Sequence, residues 1–331
     1  MKTFTTVLSI FVFAFLFGMN SLEAKVTRYV TGNPADVQPT LHGPSLDLGG
    51  GSTDVDQAFQ AMFDEVRGCT NCNTKLDVVI LRATGADGYN DYLFAMNGVD
   101  SVETLVITKK TDANTTAVED TVKNAEVVFF AGGDQCDYVT LFKGTLVETA
   151  VESVYARGGG VGGTSAGCAI QGEFTFDACS GSIVSADALA DPFNRRVSLT
   201  TDFFHWNDLG GTITDQHFQQ RDRMGRTLVF IARLIQDGIA PSVLSIAVNE
   251  ETSVVVNRNG MATVVGNGPA FFILGDHLPE VCQPKTPLTY SNYKIWRVEA
   301  GGTFNLRNRP TNGYYLRSVV DGVIQGDPYQ N

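Results

Sequence analysis

Gly163-Thr164-Ser165-Ala166-Gly167 fits the pattern G-x-S-x-G, which sets a serine on a sharp turn between a strand and a helix. Side chains at the flanking positions would clash in such a turn, which is why they are glycines. The helix that follows presents free N–H groups and the positive end of its dipole to developing negative charge. Taken alone, the pentapeptide divides evenly between a nucleophile and a structural turn. A serine nucleophile also needs a base. The chain holds four histidines, His42, His205, His217 and His277. Asp215-Gln216-His217-Phe218 runs into Arg221, Arg223 and Arg226 ahead of the apolar run Leu228–Ile231. A single histidine is more often structural than catalytic, and a cationic cluster is more often a solvated face or an ion-pair network. Combined with the serine turn, His217 is the leading base.

The elements that must position these groups follow from periodicity. Gly49-Gly50-Gly51-Ser52-Thr53 opens a stretch in which Val55, Phe59, Met62, Phe63 and Val66 share one helical face, with Ser52 or Thr53 as its cap. The Lys-Ser/Thr pair of a phosphate-binding loop is missing, so the glycines read as a tight strand-to-helix turn. Val78–Leu81, Leu105–Ile107 and Val127–Phe130 are short apolar runs rich in β-branched and aromatic residues, as buried strands are. Helix-compatible segments such as Ala117–Asn124 lie between them, and another runs from Gln135 through about Val154. This alternation predicts an α/β fold, a mostly parallel sheet flanked by helices. Val254–Val256 and Ala262–Val265 flank Asn257-Arg258-Asn259-Gly260, a hairpin signal. The Gly-, Pro- and Asn-rich end of the chain reads as a β-rich extension, in short strands or an irregular wrap.

Composition narrows the function classes. A formal charge of −12 argues against general nucleic-acid binding, which rests on neutralising phosphates. Lys2 precedes an apolar run from Val7 to Met19, too short to span a bilayer and of the form of a secretory leader ending near Ala24. The expectation is a secreted or periplasmic product, detached from the membrane once the leader is removed. Residues 25–45 carry Pro34, Pro39 and Pro44 and read as a surface lead-in. In an exported chain Cys69 with Cys72, and Cys179 with Cys282, are candidate disulfides, although spacing does not fix the pairing. A zinc site would need a second ligand pair at similar spacing, and the sequence has none.

Four blocks in order carry a resemblance. They are Phe130-Ala131-Gly132-Gly133-Asp134-Gln135, Gly162-Gly163-Thr164-Ser165-Ala166-Gly167, Asp215-Gln216-His217-Phe218 through Arg226, and Ile246-Ala247-Val248-Asn249-Glu250-Glu251-Thr252. In these the chain resembles the cyanophycinase-type serine peptidases, a family that includes the aspartyl dipeptidases. The resemblance runs over roughly residues 46–275, and the tail 276–331 resembles the secreted branch, packed on the same domain.

The resemblance implies a class I glutamine amidotransferase-like, flavodoxin-like sheet carrying a Ser–His–Glu triad and no metal or cofactor. Ser165 is then the nucleophile, His217 the base and later the acid, and Glu250 the group that orients the imidazole. Where the family usually has Asp before this Glu, the chain has Asn249; Glu251 is a rival for the role, and strand alternation would point the two to opposite faces. The N–H groups of Ala166 and Gly133 would hold the oxyanion. Gln135, Asp215, Gln216, Arg221, Arg223 and Arg226 match substrate-binding positions. In one continuous helix Arg221 would point away from Arg223 and Arg226, so either Arg221 precedes the helix or one of the three is structural. The implied substrate is cyanophycin, a poly-aspartate with arginine on each β-carboxyl, or simpler aspartyl or isoaspartyl peptides; the resemblance also leaves room for a homodimer. Two rivals share the serine turn: an α/β-hydrolase-type esterase, and a secreted binding protein without turnover.

Overall fold

The computed structural model describes residues 26–330, so the leader expected over residues 1–24 lies outside the described residues. The polar lead-in contributes β1 (Thr27–Gly32), a largely exposed strand, and β2 (Ser45–Gly49) follows, buried at every position. Helix α1 (Asp56–Arg67) buries Phe59, Met62, Phe63 and Val66, the face its spacing predicts. Its cap differs from expectation. Val55 precedes the first turn without a side-chain cap bond, while Ser52 is spent inside the preceding turn at φ 68°. Then come β3 (Leu76–Arg82), α2 (Asn90–Phe94), β4 (Val99–Val106), α3 (Thr116–Asn124) and β5 (Val127–Phe130). The single helical stretch expected after Gln135 is two helices, α4 (Gln135–Phe142) and α5 (Leu146–Ala156), separated at Lys143-Gly144-Thr145.

Strand β6 (Gly160–Thr164) passes through Ser165 into the short helix α6 (Ala166–Ala169). Beyond it lie β7 (Phe174–Phe176), α7 (Ser185–Ala190), β8 (Leu199–Thr201), β9 (Thr212–Asp215) and α8 (Met224–Gln236). The remainder is strand: β10 (Val243–Val248), β11 (Thr252–Val256), β12 (Met261–Gly266), β13 (Ala270–Gly275), β14 (Tyr290–Val298), β15 (Thr303–Asn305), β16 (Tyr315–Val320) and β17 (Val323–Ile324). Among the described residues no helix is long and apolar enough to cross a membrane.

The strands form two sheets. The nine-stranded one is ordered β1-β4-β3-β5-β6-β2-β11-β12-β15. Its centre, from β4 to β2, is parallel, and β1, β11, β12 and β15 add antiparallel margins. The eight-stranded sheet is ordered β17-β16-β14-β13-β10-β9-β7-β8, with β7, β9 and β10 parallel. The expected hairpin is present, with Val256 opposite Ala262. The C-terminal strands complete both sheets rather than wrapping them: β14 pairs with β13, and β15 with β12. Consequently β2, β5, β6, β9 and β10 all end toward one place, where open α/β sheets bind ligands beyond the carboxyl ends of their strands.

A carboxyl group of β2 is buried beneath that place. Asp47, in β2, is 2% exposed and accepts a hydrogen bond from the Ser253 hydroxyl. Burial pushes its carboxyl up to about 7, against the Ser253 bond, and neighbouring Asp54 adds to the rise. The folded chain therefore holds this proton through a range in which an unfolded aspartate has lost it, so Asp47 favours the native state most below about pH 4 and that contribution is lost as pH rises to about 7. Asp47→Asn is accordingly expected to gain stability relative to the parent between about pH 4 and about pH 7, measured by urea unfolding across that range. A difference independent of pH would contradict this.

Candidate active site

Ser165 joins β6 to α6 with φ 53° and ψ −114°, a strained backbone conformation of the kind the serine turn requires. The flanking glycines are explained by contact: a Cβ on Gly163 would lie 2.4 Å from the Gly167 carbonyl carbon, and one on Gly167 2.1 Å from the Phe130 oxygen. Ser165 Oγ lies 2.7 Å from His217 Nε2, and His217 Nδ1 lies 2.7 Å from Glu250 Oε1. The three groups, drawn from the ends of β6, β9 and β10, thus form one hydrogen-bonded line. Glu250 receives the imidazole, and Glu251 does not: it turns away at φ 55° and its carboxylate accepts from Asn267 Nδ2. Residues 249–251 are a turn between β10 and β11, so strand alternation is not what separates the two glutamates.

His217 is held by backbone from the opposite sheet. Its own φ is 49°, and its N–H donates to the Gly50 carbonyl at 2.8 Å. Gly51, at φ +100°, lies against the ring; a Cβ there would sit 2.3 Å from His217 Cε1. The glycine run after β2 is thus the surface on which the imidazole rests. Asn249 has a comparable part. Its Oδ1 accepts from Gln219 N–H at 3.0 Å, and its Nδ2 donates to Gln219 Oε1 at 2.7 Å. An aspartate could make the first bond but not the second. Gln220 completes the link by accepting from Glu250 N–H at 3.1 Å.

Burial lowers the His217 pKa below the ordinary imidazole value; the Glu250 hydrogen bond opposes this, and Arg221 and Arg223 lower it further. The ring is therefore neutral, and able to accept a proton, at neutral pH. Gly132 lies beside the serine, the position of a Cβ on it being 3.6 Å from Ser165 Cβ. Ala166 is the first residue of α6, and neither its N–H nor that of Gly133 has a partner among the described residues. Both amides stay free to receive an oxyanion.

The cleft in front of Ser165 is lined by Gly133, Asp134 and Gln135 on one side, by Ala178, Gly181 and Ser182 on another, and by Gln216 and the three arginines. Asp134 caps α4 by accepting from Cys136 N–H. Arg221 precedes α8, which starts at Met224, and is half-exposed beside Glu250, with Nε 3.8 Å from Oε1. Arg223 is mostly buried and donates to the Gln216 carbonyl at 2.7 Å; burial lowers its pKa to about 10, which leaves it charged. Arg226 is 2% exposed and bonds both oxygens of Asp215. Thr227 Oγ1 also donates to Asp215, at 2.7 Å. Burial alone would raise the Asp215 pKa, but Arg226, Arg223 and Thr227 together hold it below the usual range. Asp215 is therefore consumed inside the protein and does not line the cleft, contrary to the expectation that it meets the substrate. Arg226 serves mainly as its partner.

The disulfides differ from expectation as well. Cys69 bonds Cys72, but Cys179 bonds Cys136, with Cα atoms 4.9 Å apart. Cys282 is a buried free thiol in the core of the eight-stranded sheet, and Cys168 is a second, in another cluster behind the serine turn. Tyr329, near the C-terminus, had no signal in the sequence. Its hydroxyl accepts from Met224 N–H at 3.2 Å and donates to Asp222 at 2.9 Å, and its ring packs on Phe218, next to His217. Among the described residues no group of three or more His, Cys, Asp or Glu side chains is arranged to hold a metal.

No family model matches the chain. Over 240 residues it is 28% identical to a protein named cyanophycinase from Nostoc sp., covering 70% of this chain and 71% of the relative. The same identity and coverage hold for a cyanophycinase from Trichormus variabilis. The chain is a homologue of the cyanophycinases. Its fold is that of a peptidase from an acI-B1 Actinobacterium, at a TM-score of 0.53 and 14% identity, over 80% of this chain and 98% of that one. Within this cyanophycinase-related chain, three of the four sequence blocks line the cleft in front of Ser165, and the fourth supports it from behind through the Glu250 bond to His217.

Two substitutions separate packing from support of the imidazole. Asp215→Asn strands a buried guanidinium and is expected to cost about 3–5 kcal/mol of stability, read from urea unfolding; a loss below about 1 kcal/mol would contradict the buried pairing. Gly51→Ala forces His217 aside, and kcat is expected to fall about 10²-fold, with circular dichroism unchanged. An unaltered kcat would show that the ring does not depend on this surface.

Proposed function

We propose that this chain is an exported serine exopeptidase that hydrolyses cyanophycin to β-Asp-Arg dipeptides through an acyl-enzyme. The observation that carries the reading is the line from Ser165 to Glu250 opening into a cleft that bears cations. As Ser165 Oγ attacks the scissile carbonyl carbon, its proton passes to His217 Nε2, while Glu250 steadies the imidazolium. The carbonyl oxygen becomes an oxyanion beside the Ala166 and Gly133 N–H groups. Collapse breaks the C–N bond, and His217 returns the proton to the departing amine. Water, deprotonated by His217, then attacks the acyl carbon and releases Ser165 with its hydrogen restored.

The substrate assignment rests on charge. Arg221 and Arg223 face the cleft, and a guanidinium fork suits a carboxylate because it can bond both oxygens. Gln135 and Gln216 supply neutral polar groups on the same walls. Because Asp215 is occupied, the partner for a substrate guanidinium is Asp134 or the carbonyl groups lining the rim. An esterase reading leaves the arginines without a task, and a binding protein would not need the neutral imidazole aligned on the serine. Export agrees with two disulfides, which persist in oxidising compartments.

Incubation with purified cyanophycin, followed by mass analysis, is expected to give β-Asp-Arg. Intact polymer with cleavage of Asp-X dipeptides would move the substrate to simple aspartyl peptides. Ser165→Ala should lower turnover by about 10⁴-fold or more with an unchanged melting temperature, and full activity in it would end the proposal. Since His217 must be neutral to act and its pKa lies below the ordinary value, the acid limb of kcat/KM is expected below about pH 6.5. An acid limb above that value would contradict the assignment.

A further inference from the structure

Two walls of the cleft are adjoining segments that come from distant parts of the chain. One is the turn after β5 with the first turn of α4, carrying Gly133, Asp134 and Gln135; the other is the segment after β7, carrying Ala178, Gly181 and Ser182. Cys136 directly follows Gln135, Cys179 directly follows Ala178, and the two are joined. The inner end of the second wall has its own anchor. Asp177 is 7% exposed, and it accepts from Cys179 N–H at 2.9 Å, from Thr200 Oγ1 at 2.8 Å and from Ser198 Oγ. Its outer end is tied down where Ser185 donates to the Asp222 carbonyl and Ser182 lies 3.4 Å from Arg226. Between these ends the chain turns at Ala178, φ 52°, with one internal bond from Gly181 N–H to the Ala178 carbonyl at 2.7 Å. The only other tie between the walls among the described residues is Gln135 Nε2 to the Phe176 carbonyl, at 3.4 Å.

We propose that the Cys136–Cys179 disulfide is a positioning element of the substrate cleft, holding the 178–182 wall at the separation from Gln135 at which a charged substrate unit is gripped. The inference rests on the cleft being the peptidase site proposed above. Ser165, His217 and Glu250 are held by other contacts, from β6, from Gly50–Gly51 and from the Asn249–Gln219 pair, so loss of the disulfide leaves the reacting groups in place and loosens recognition. Cys179 is exposed, so the bond is open to reductants in solution. In a reducing environment the cleft would then lose its grip while keeping its chemistry.

The test compares the parent protein with Cys136→Ser/Cys179→Ser on purified cyanophycin, with Cys69→Ser/Cys72→Ser as the control for the remote disulfide. The cleft variant is expected to raise KM about tenfold or more while kcat stays within about threefold, and the control to match the parent. Dithiothreitol, which gives the disulfide two electrons and two protons and closes into its own cyclic disulfide, should reproduce the cleft variant in the parent protein. An unchanged KM, or a fall in kcat alone, overturns the proposal. Amide hydrogen exchange supplies a readout independent of turnover: residues 178–182 should exchange faster in the cleft variant, while residues 217–221 and 249–251 do not. Unchanged exchange at 178–182 also overturns it. A parent protein that cleaves no peptide but shows the exchange difference would defeat the peptidase reading and leave the clamp standing.

Discussion

The contact on which the rest depends is the seating of His217 upon Gly50 and Gly51. The imidazole belongs to a loop leaving the eight-stranded sheet, whereas the serine belongs to the nine-stranded one. What brings them within 2.7 Å is a left-handed histidine backbone bonded to the Gly50 carbonyl, with a glycine leaving room for the ring. The second anchor is the turn at 249–251, which Asn249 and Gln220 tie to the same loop. Removal of either anchor leaves the ring free to rotate. Each of these supports lies at a strand end, so two sheets, joined through a shared core that includes Leu46 and Val161 of one and Ile246 and Phe272 of the other, converge on one imidazole.

Charge is arranged in layers around that ring. The chain as a whole is acidic, at −12, yet the cleft is lined by three arginines. The innermost, Arg226, bonds both oxygens of Asp215, whereas Arg223 reaches the same carboxylate only at 3.5 Å and Arg221 lies 3.8 Å from Glu250. Asp215 and Arg226 therefore act as a fixed base plate beneath Arg223, which keeps its charge and leans on the Gln216 carbonyl. Such a site attracts anions locally in a molecule that repels them overall, which favours recognition at short range over long-range steering.

The legible and illegible parts divide on physical grounds. Val127–Phe130 matches β5 residue for residue, because a four-residue buried run of β-branched and aromatic side chains has few alternatives. The apolar face of α1 and the hairpin of β11 and β12 were readable for the same kind of reason, periodicity against one buried side. Strand β6 is harder to read, since Gly160-Val161-Gly162-Gly163-Thr164 has poor strand propensity and its glycines answer to neighbours distant in sequence or across the serine turn: a Cβ would meet Met62 at Gly160, Asp47 at Gly162 and Gly167 at Gly163. The choice between Glu250 and Glu251 was unreadable because it depends on a turn, where period-two reasoning fails. The partner of Cys179 depends on β7 coming back beside α4, and the place of Tyr329 on the path of a C-terminal segment; no local pattern encodes either.

The proposed peptidase chemistry requires Ser165, His217 and the free amides of Gly133 and Ala166 to converge on one carbonyl. A crystal structure of the Ser165→Ala protein soaked with a short cyanophycin fragment would reveal whether they do. The scissile carbonyl carbon is expected beside residue 165, with its oxygen toward the two amides and a substrate carboxylate on Arg223. A fragment bound elsewhere, or one whose carbonyl points away from those amides, would contradict that chemistry.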